Sequence, residues 1–204
     1  MRRLALSLLT IIAVTSLAWS QTQVYLGGGV AFPTAPQAFK DDYKMGYNVG
    51  GGIGFSLSPT ISYMLTVGYA SFPFDVSGIN ARYGIPSGAT VSVDGGTVSG
   101  LDVLGDFKFS LMPKGVSVYL IAGVGYFSMS MSDATVKVSY QGHSSSTTVS
   151  SDSKSAFCAS GGAGVDVPVS GKIGVFVEGR YFIAFTSGGN TSYVPVKAGV
   201  RIRF

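Results

Sequence analysis

The stretch Tyr193-Val-Pro-Val-Lys-Ala-Gly-Val-Arg-Ile-Arg-Phe204 decides the fold. Val194, Val196, Ala198, Val200, Ile202 and Phe204 share one parity, while Lys197, Arg201 and Arg203 share the other. Strict alternation belongs to a β-strand, whose successive side chains point to opposite faces. Working back along the chain, Val175, Val177, Tyr181 and Ile183 oppose Glu178 and Arg180, and Phe157, Ala159, Ala163, Val165 and Val167 oppose Asp166. Earlier still, Leu101, Val103, Phe107 and Phe109 oppose Asp102, Asp106 and Lys108. Within each strand every charge keeps to one side. A slip of one residue would move them all to the other face, so register is strongly specified.

The same period runs through the rest of the chain and predicts strands at 22–32, 45–57, 61–71, 98–111, 116–129, 156–168, 173–185 and 193–204. No segment shows a helical period. Short connections (58–60, 112–115, 169–172) alternate with longer ones (33–44, 72–97, 130–155, 186–192), and the short ones carry turn chemistry in Ser58-Pro59-Thr60, Met112-Pro113-Lys114-Gly115 and Ser170-Gly171-Lys172. Short turns at one end, long loops at the other and an even strand number predict an all-β, eight-stranded, antiparallel up-and-down transmembrane β-barrel. A β-sandwich also alternates, but it would set a broadly polar face against water. Here the minority face is mostly Gly, Ser, Ala and aromatic, as in Gly46, Asn48, Gly50, Gly52, Gly54 and Ser56, which suits a narrow lumen.

Composition agrees. The 204 residues are 46% apolar and 12% charged, against about 25% charged in an ordinary soluble domain, which excludes a disordered chain. Arg2 and Arg3, the apolar run Leu4 to Leu17 and Ala18-Trp19-Ser20 make a signal peptide over 1–20, cleaved before Gln21 to leave a barrel domain over 21–204. Its loss removes two of the fourteen basic residues, so the net charge of +4 is a weak argument for nucleic acid, and none is expected as a partner.

An export signal, eight strands, short turns and the terminal aromatic strand together resemble the small OmpA-like and OmpX-like barrels of Gram-negative outer membranes. Tyr119-Leu-Ile-Ala-Gly-Val-Gly-Tyr126 and Val175-Phe-Val-Glu-Gly-Arg-Tyr181 share that look. The resemblance implies residence among outer-membrane lipid and lipopolysaccharide, with short turns and both mature termini in the periplasm and long loops outside the cell. It also implies that Phe204 serves as an assembly signal for the barrel-insertion machinery. No peptidoglycan-binding domain is expected after the last strand.

Chemistry-bearing motifs are sparse. The triplets Gly27-Gly28-Gly29 and Gly50-Gly51-Gly52 and the pair Gly161-Gly162 lie inside strands with no following helix or Lys-Ser/Thr pair, which argues against a phosphate loop. His143, the only histidine, lies in Gln141-Gly-His-Ser-Ser-Ser-Thr-Thr148 with no acid nearby to orient it, and so reads as solvated. One His and the lone Cys158 do not make a usual zinc site; Cys158 reads as an inert buried thiol and Asp41-Asp42 as a polar loop. No catalytic residue, metal or cofactor is expected.

The candidate site is the lumen charge set: Asp102, Asp106, Asp166 and Glu178 with Lys108, Arg180, Lys197, Arg201 and Arg203. An eight-stranded barrel is just wide enough for its own side chains, so these groups are expected to pair as a plug. The alternation at Ala89–Val98 and Thr135–Tyr140 predicts sheet beyond the membrane, with a hairpin at Asp94-Gly95-Gly96. Loops 72–97 and 130–155 could then engage an extracellular protein or surface ligand. The expected role is structural and surface-interactive, without catalysis; the alternative is a narrow channel for small polar or hydrophobic solutes.

Overall fold

A computed structural model describes residues 22–77, 84–85, 88–112, 115–141, 143–186 and 189–204. The signal peptide expected over 1–20 lies outside the described residues, as do Pro113 and Lys114 of the second short turn. Eight long strands form the wall: β1 (Thr22–Ala35), β2 (Gly46–Ser56), β3 (Ile61–Phe72), β5 (Val98–Ser110), β6 (Ser117–Met131), β9 (Asp152–Pro168), β10 (Ile173–Thr186) and β11 (Gly189–Arg203). They close in the order β1-β11-β10-β9-β6-β5-β3-β2. Each wall strand is antiparallel to the wall strands before and after it in the chain, and β11 returns to β1 with Val30 opposite Val196 and Tyr25 opposite Arg201. Closure leaves no edge unpaired, which a strand in hydrocarbon requires because no water can satisfy its backbone.

The strand faces divide as their parity dictates. Leu26, Ile53, Leu65, Val103, Leu120, Val124 and Val200 are exposed on the outside. Two groups of outward aromatics flank this band. Tyr47 meets Tyr69 (6.2 Å between ring centroids) and Tyr126 meets Phe157 (6.1 Å) toward the long loops, while Tyr63 and Phe109 both approach Phe107 toward the short turns (5.4 and 6.5 Å). Aromatic girdles at both ends of an apolar band mark the two interfaces of a membrane barrel.

Three features differ from the sequence reading. Residues 33–44 contain a short helix, α1 (Gln37–Asp42), where no helix was expected. Six residues are too few to display a period; what holds them is Phe39, 7% exposed, whose ring lies 5.0 Å from Phe72 and 5.4 Å from Tyr43. Second, the hairpin expected at Asp94-Gly95-Gly96 does not form. β4 (Thr90–Gly95) pairs instead with β7 (Ala134–Tyr140), which pairs with β8 (His143–Val149), so a separate three-stranded sheet stands apart from the wall. Gly95 (φ +87°) and Gly96 (φ +72°) redirect the chain from β4 into β5, and Gly95 also lies so close to the Asp133 carbonyl that a side chain would clash. Third, β9 begins at Asp152 and β11 at Gly189, earlier than their apolar alternation starts, because polar residues continue the ladder past the band.

Candidate functional site

Inward residues fill the lumen in layers. Nearest the short turns, Asp166 of β9 accepts from Arg201 of β11 through Nε (2.7 Å) and Nη2 (2.9 Å), a two-point carboxylate–guanidinium contact. Lys108 of β5 reaches the same carboxylate at 3.4 Å and sits over the Tyr119 ring, 3.9 Å from its centroid. A polar chain runs on from it: Lys108 Nζ to Tyr25 OH (3.5 Å), Tyr25 OH to Gln23 (2.8 Å), and Gln23 to Ser56 (2.8 Å).

The second layer centres on Arg180 of β10. Its Nη1 donates to both oxygens of Asp106 (3.0 Å each) and its Nε to Glu178 Oε1 (2.6 Å). Glu178 and Arg180 are two apart on one strand, so they share the inner face. Thr66 of β3 donates to Asp106 (2.8 Å), Tyr119 of β6 to Glu178 (3.0 Å), and Lys197 of β11 lies 3.5 Å from Glu178. Asp106 is 0% exposed. Buried ions persist only when paired and hydrogen-bonded, and here Asp106, Glu178 and Asp166 each have at least two donors.

Of the nine charges singled out in the sequence, Asp106, Lys108, Asp166, Glu178, Arg180, Lys197 and Arg201 join these two clusters. Asp102 is buried further toward the long loops, lining with Lys197 a cavity of about 30 Å³. Arg203 stands exposed at the short-turn rim.

The aromatic layer above the charges was not singled out. Phe182 stacks on Tyr193 (4.6 Å), Phe127 lies 5.1 Å from Phe182, and Phe72 lies 5.3 Å from Tyr193. All four are inward and buried. Phe182 and Tyr193 share the parity of the charges on β10 and β11, and that was the available signal; β3 and β6 carry no charge to mark the inward parity of Phe72 and Phe127. Phe39 packs on Phe72 and joins α1 to this layer.

Apart from the charges, Cys158 is a free, buried thiol on the inner face of β9. His143 is exposed on β8, opposite Tyr140, in a strand rather than a loop. Asp41 accepts from Gln37 within α1. No group of His, Cys, Asp and Glu arranged to hold a metal occurs among the described residues. The sheet β4-β7-β8 sets Val91 opposite Val138 and Val93 opposite Val136 on one face, and β8 is exposed along its whole length.

A closed eight-stranded wall, apolar outside and ionic inside, defines an integral β-barrel membrane protein. A family model described as outer membrane protein beta-barrel domain matches residues 4–204, and the chain belongs to that family. No curated protein matches the sequence. Among solved structures, Neisserial surface protein A (NspA) is similar at a TM-score of 0.56 and 14% identity, over 90% of this chain and 97% of that one. OprG from Pseudomonas aeruginosa is similar at a TM-score of 0.50 and 9% identity, over 91% and 96%. At such identities the likeness is one of fold.

Proposed function

We propose that the protein is a plugged barrel of the Gram-negative outer membrane that supports the envelope and meets surface ligands through its loops, without catalysis. One observation carries this reading: among the described residues, the spaces beside Arg180 and Lys197 in the lumen are small, about 30 and 20 Å³. Roughly 10–15 Å³ of such space holds one water, so each takes about two at most, which argues against a continuous water column. In this reading residues 1–20 are the removed export signal and 21–204 the mature barrel. Both mature termini and the short turns face the periplasm, and lipid and lipopolysaccharide surround the apolar band. Loops 72–97 and 130–155, which carry β4, β7 and β8, project outside, where a partner protein pairs with exposed strand or packs on the valine face.

Purified barrel in a planar lipid bilayer with potassium chloride is expected to show no steady current. A second reading, a narrow path for small solutes, draws on the cavity of about 390 Å³ at the long-loop end, lined by Phe39, Tyr43, Val98, Met129 and Met131 among others. Large ohmic currents from the wild-type protein would establish that path and remove the plug.

Assembly supplies a further expectation. Phe204 is 61% exposed on the lipid-facing parity, and its N–H donates to the Thr22 carbonyl (3.0 Å) where the barrel closes. We infer that the barrel-assembly machinery reads it, so Phe204→Ala should lower the amount of inserted barrel severalfold. Heat-modifiable gel migration measures this; a normal yield of folded protein would defeat the inference.

A further inference from the structure

A cavity of about 660 Å³ opens at the short-turn end among Ser58, Pro59, Ser170 and Gly171. Its charged lining is unbalanced. Among the described residues that line it, Lys108, Arg201 and Arg203 face one carboxylate, Asp166, an excess of two positive charges. Asp166 is already engaged at two points by Arg201, at 2.7 and 2.9 Å, and Lys108 shares it only at 3.4 Å. The second layer is balanced, Asp106 and Glu178 against Arg180 and Lys197, and Asp102 lies beyond it toward the long loops. Positive charge is therefore concentrated where the lumen is open and wide.

The walls are suited to an oxyanion. Ser117 lines the cavity, and its hydroxyl is buried with no hydrogen-bond partner among the described residues. Ser62 and Ser110 line the same cavity. Gln23 and Tyr25 are tied to each other and to Lys108, which holds the ammonium at the floor instead of letting it follow solvent. A fixed cation, a buried hydroxyl lining the same cavity and too few carboxylates are satisfied by an anion that accepts charge-assisted hydrogen bonds from them.

We propose that this vestibule binds a doubly charged oxyanion of the phosphate class. The excess of two positive charges matches a dianion, and the volume admits a phosphate group carried on a larger molecule as well as the free ion. This goes beyond the plug reading and does not depend on it, since the site lies below the lower ionic layer and needs no passage through the barrel.

The test uses the folded barrel in maltoside micelles, titrated calorimetrically with inorganic phosphate at low ionic strength. One saturable site is expected. Lys108→Met leaves the Asp166–Arg201 contact in place and should weaken phosphate about tenfold, the value of one charge-assisted hydrogen bond. Arg203→Gln lies at an exposed position that does not threaten folding. It should weaken binding in the same direction, which keeps the proposal testable if Lys108→Met fails to fold. Adding phosphatidic acid, whose phosphomonoester is the lipid counterpart of the dianion, separates the two sources of the ligand: competitive loss of phosphate binding assigns the site to a lipid headgroup, and unchanged binding assigns it to a soluble ion. Absence of saturable binding by the wild type, or wild-type affinity in both variants, would overturn the proposal.

Discussion

Arg180→Gln is expected to destabilise the barrel by about 3–5 kcal/mol, the cost of leaving buried ions without their partner. The guanidinium is the shared donor to Asp106 and Glu178, with contacts of 3.0 and 2.6 Å, and Asp106 has no exposure to solvent. Removing it leaves two carboxylates in a narrow lumen with Thr66, Tyr119 and Lys197 as remaining support. Arg180→Lys should restore little, because the three N–H groups of an ammonium radiate from one nitrogen and do not span the separate positions from which Nε and Nη1 reach the two acids. The double variant Arg180→Gln with Asp106→Asn should cost less than the sum of the two single changes, as residues of one network do. Urea titration followed by gel mobility of the folded form measures each variant. An unchanged midpoint for Arg180→Gln would show that the contacts contribute nothing to stability.

Gly123→Val is expected to prevent folding altogether. A Cβ built at this inward position of β6 would stand 2.0 Å from Asp106 Oδ1 and 2.8 Å from the Gly105 carbonyl. The carboxylate would have to leave its place, and with it the Arg180 contacts. Overpacking costs about 1–3 kcal/mol on its own, and the broken ionic cluster adds about 3–5 kcal/mol, together comparable to the roughly 5–15 kcal/mol that holds a typical domain folded. Gly161→Val is the matched control, since a Cβ there meets only the Ile121 carbonyl, at 4.0 Å, and the position is exposed on the wall. Heat-modifiable barrel should be absent for Gly123→Val and present for Gly161→Val. Folded Gly123→Val with wild-type stability would mean that the Asp106 carboxylate is free to move.

The strands, their number, their inward and outward faces and the alternation of short and long connections were all legible in the sequence. Each follows from a local rule: a period of two sends every second side chain the same way, and hydrocarbon penalises any charge that breaks parity. The placement of Glu178 and Arg180 on one face needed nothing more than their spacing. The short turns were equally readable, since Ser58-Pro59-Thr60 and Ser170-Gly171-Lys172 carry their chemistry in the residues themselves.

Which acid meets which base was decided only by closure. Asp106 and Arg180 are 74 positions apart on β5 and β10, with β6 and β9 between them in the wall, so they meet across the lumen. No period predicts that contact, because it depends on how far the sheet curves and how each strand is staggered against the next. The same holds for the layer of Phe72, Phe127, Phe182 and Tyr193, brought together from β3, β6, β10 and β11. It holds for β4 choosing β7 over β5, because Gly95 and Gly96 permit several directions and only a free partner strand selects one. Parity is a property of each strand alone and is therefore written along the chain. Contact across the barrel is a property of the closed surface, set by strand number and stagger, and it exists only once β11 has paired with β1.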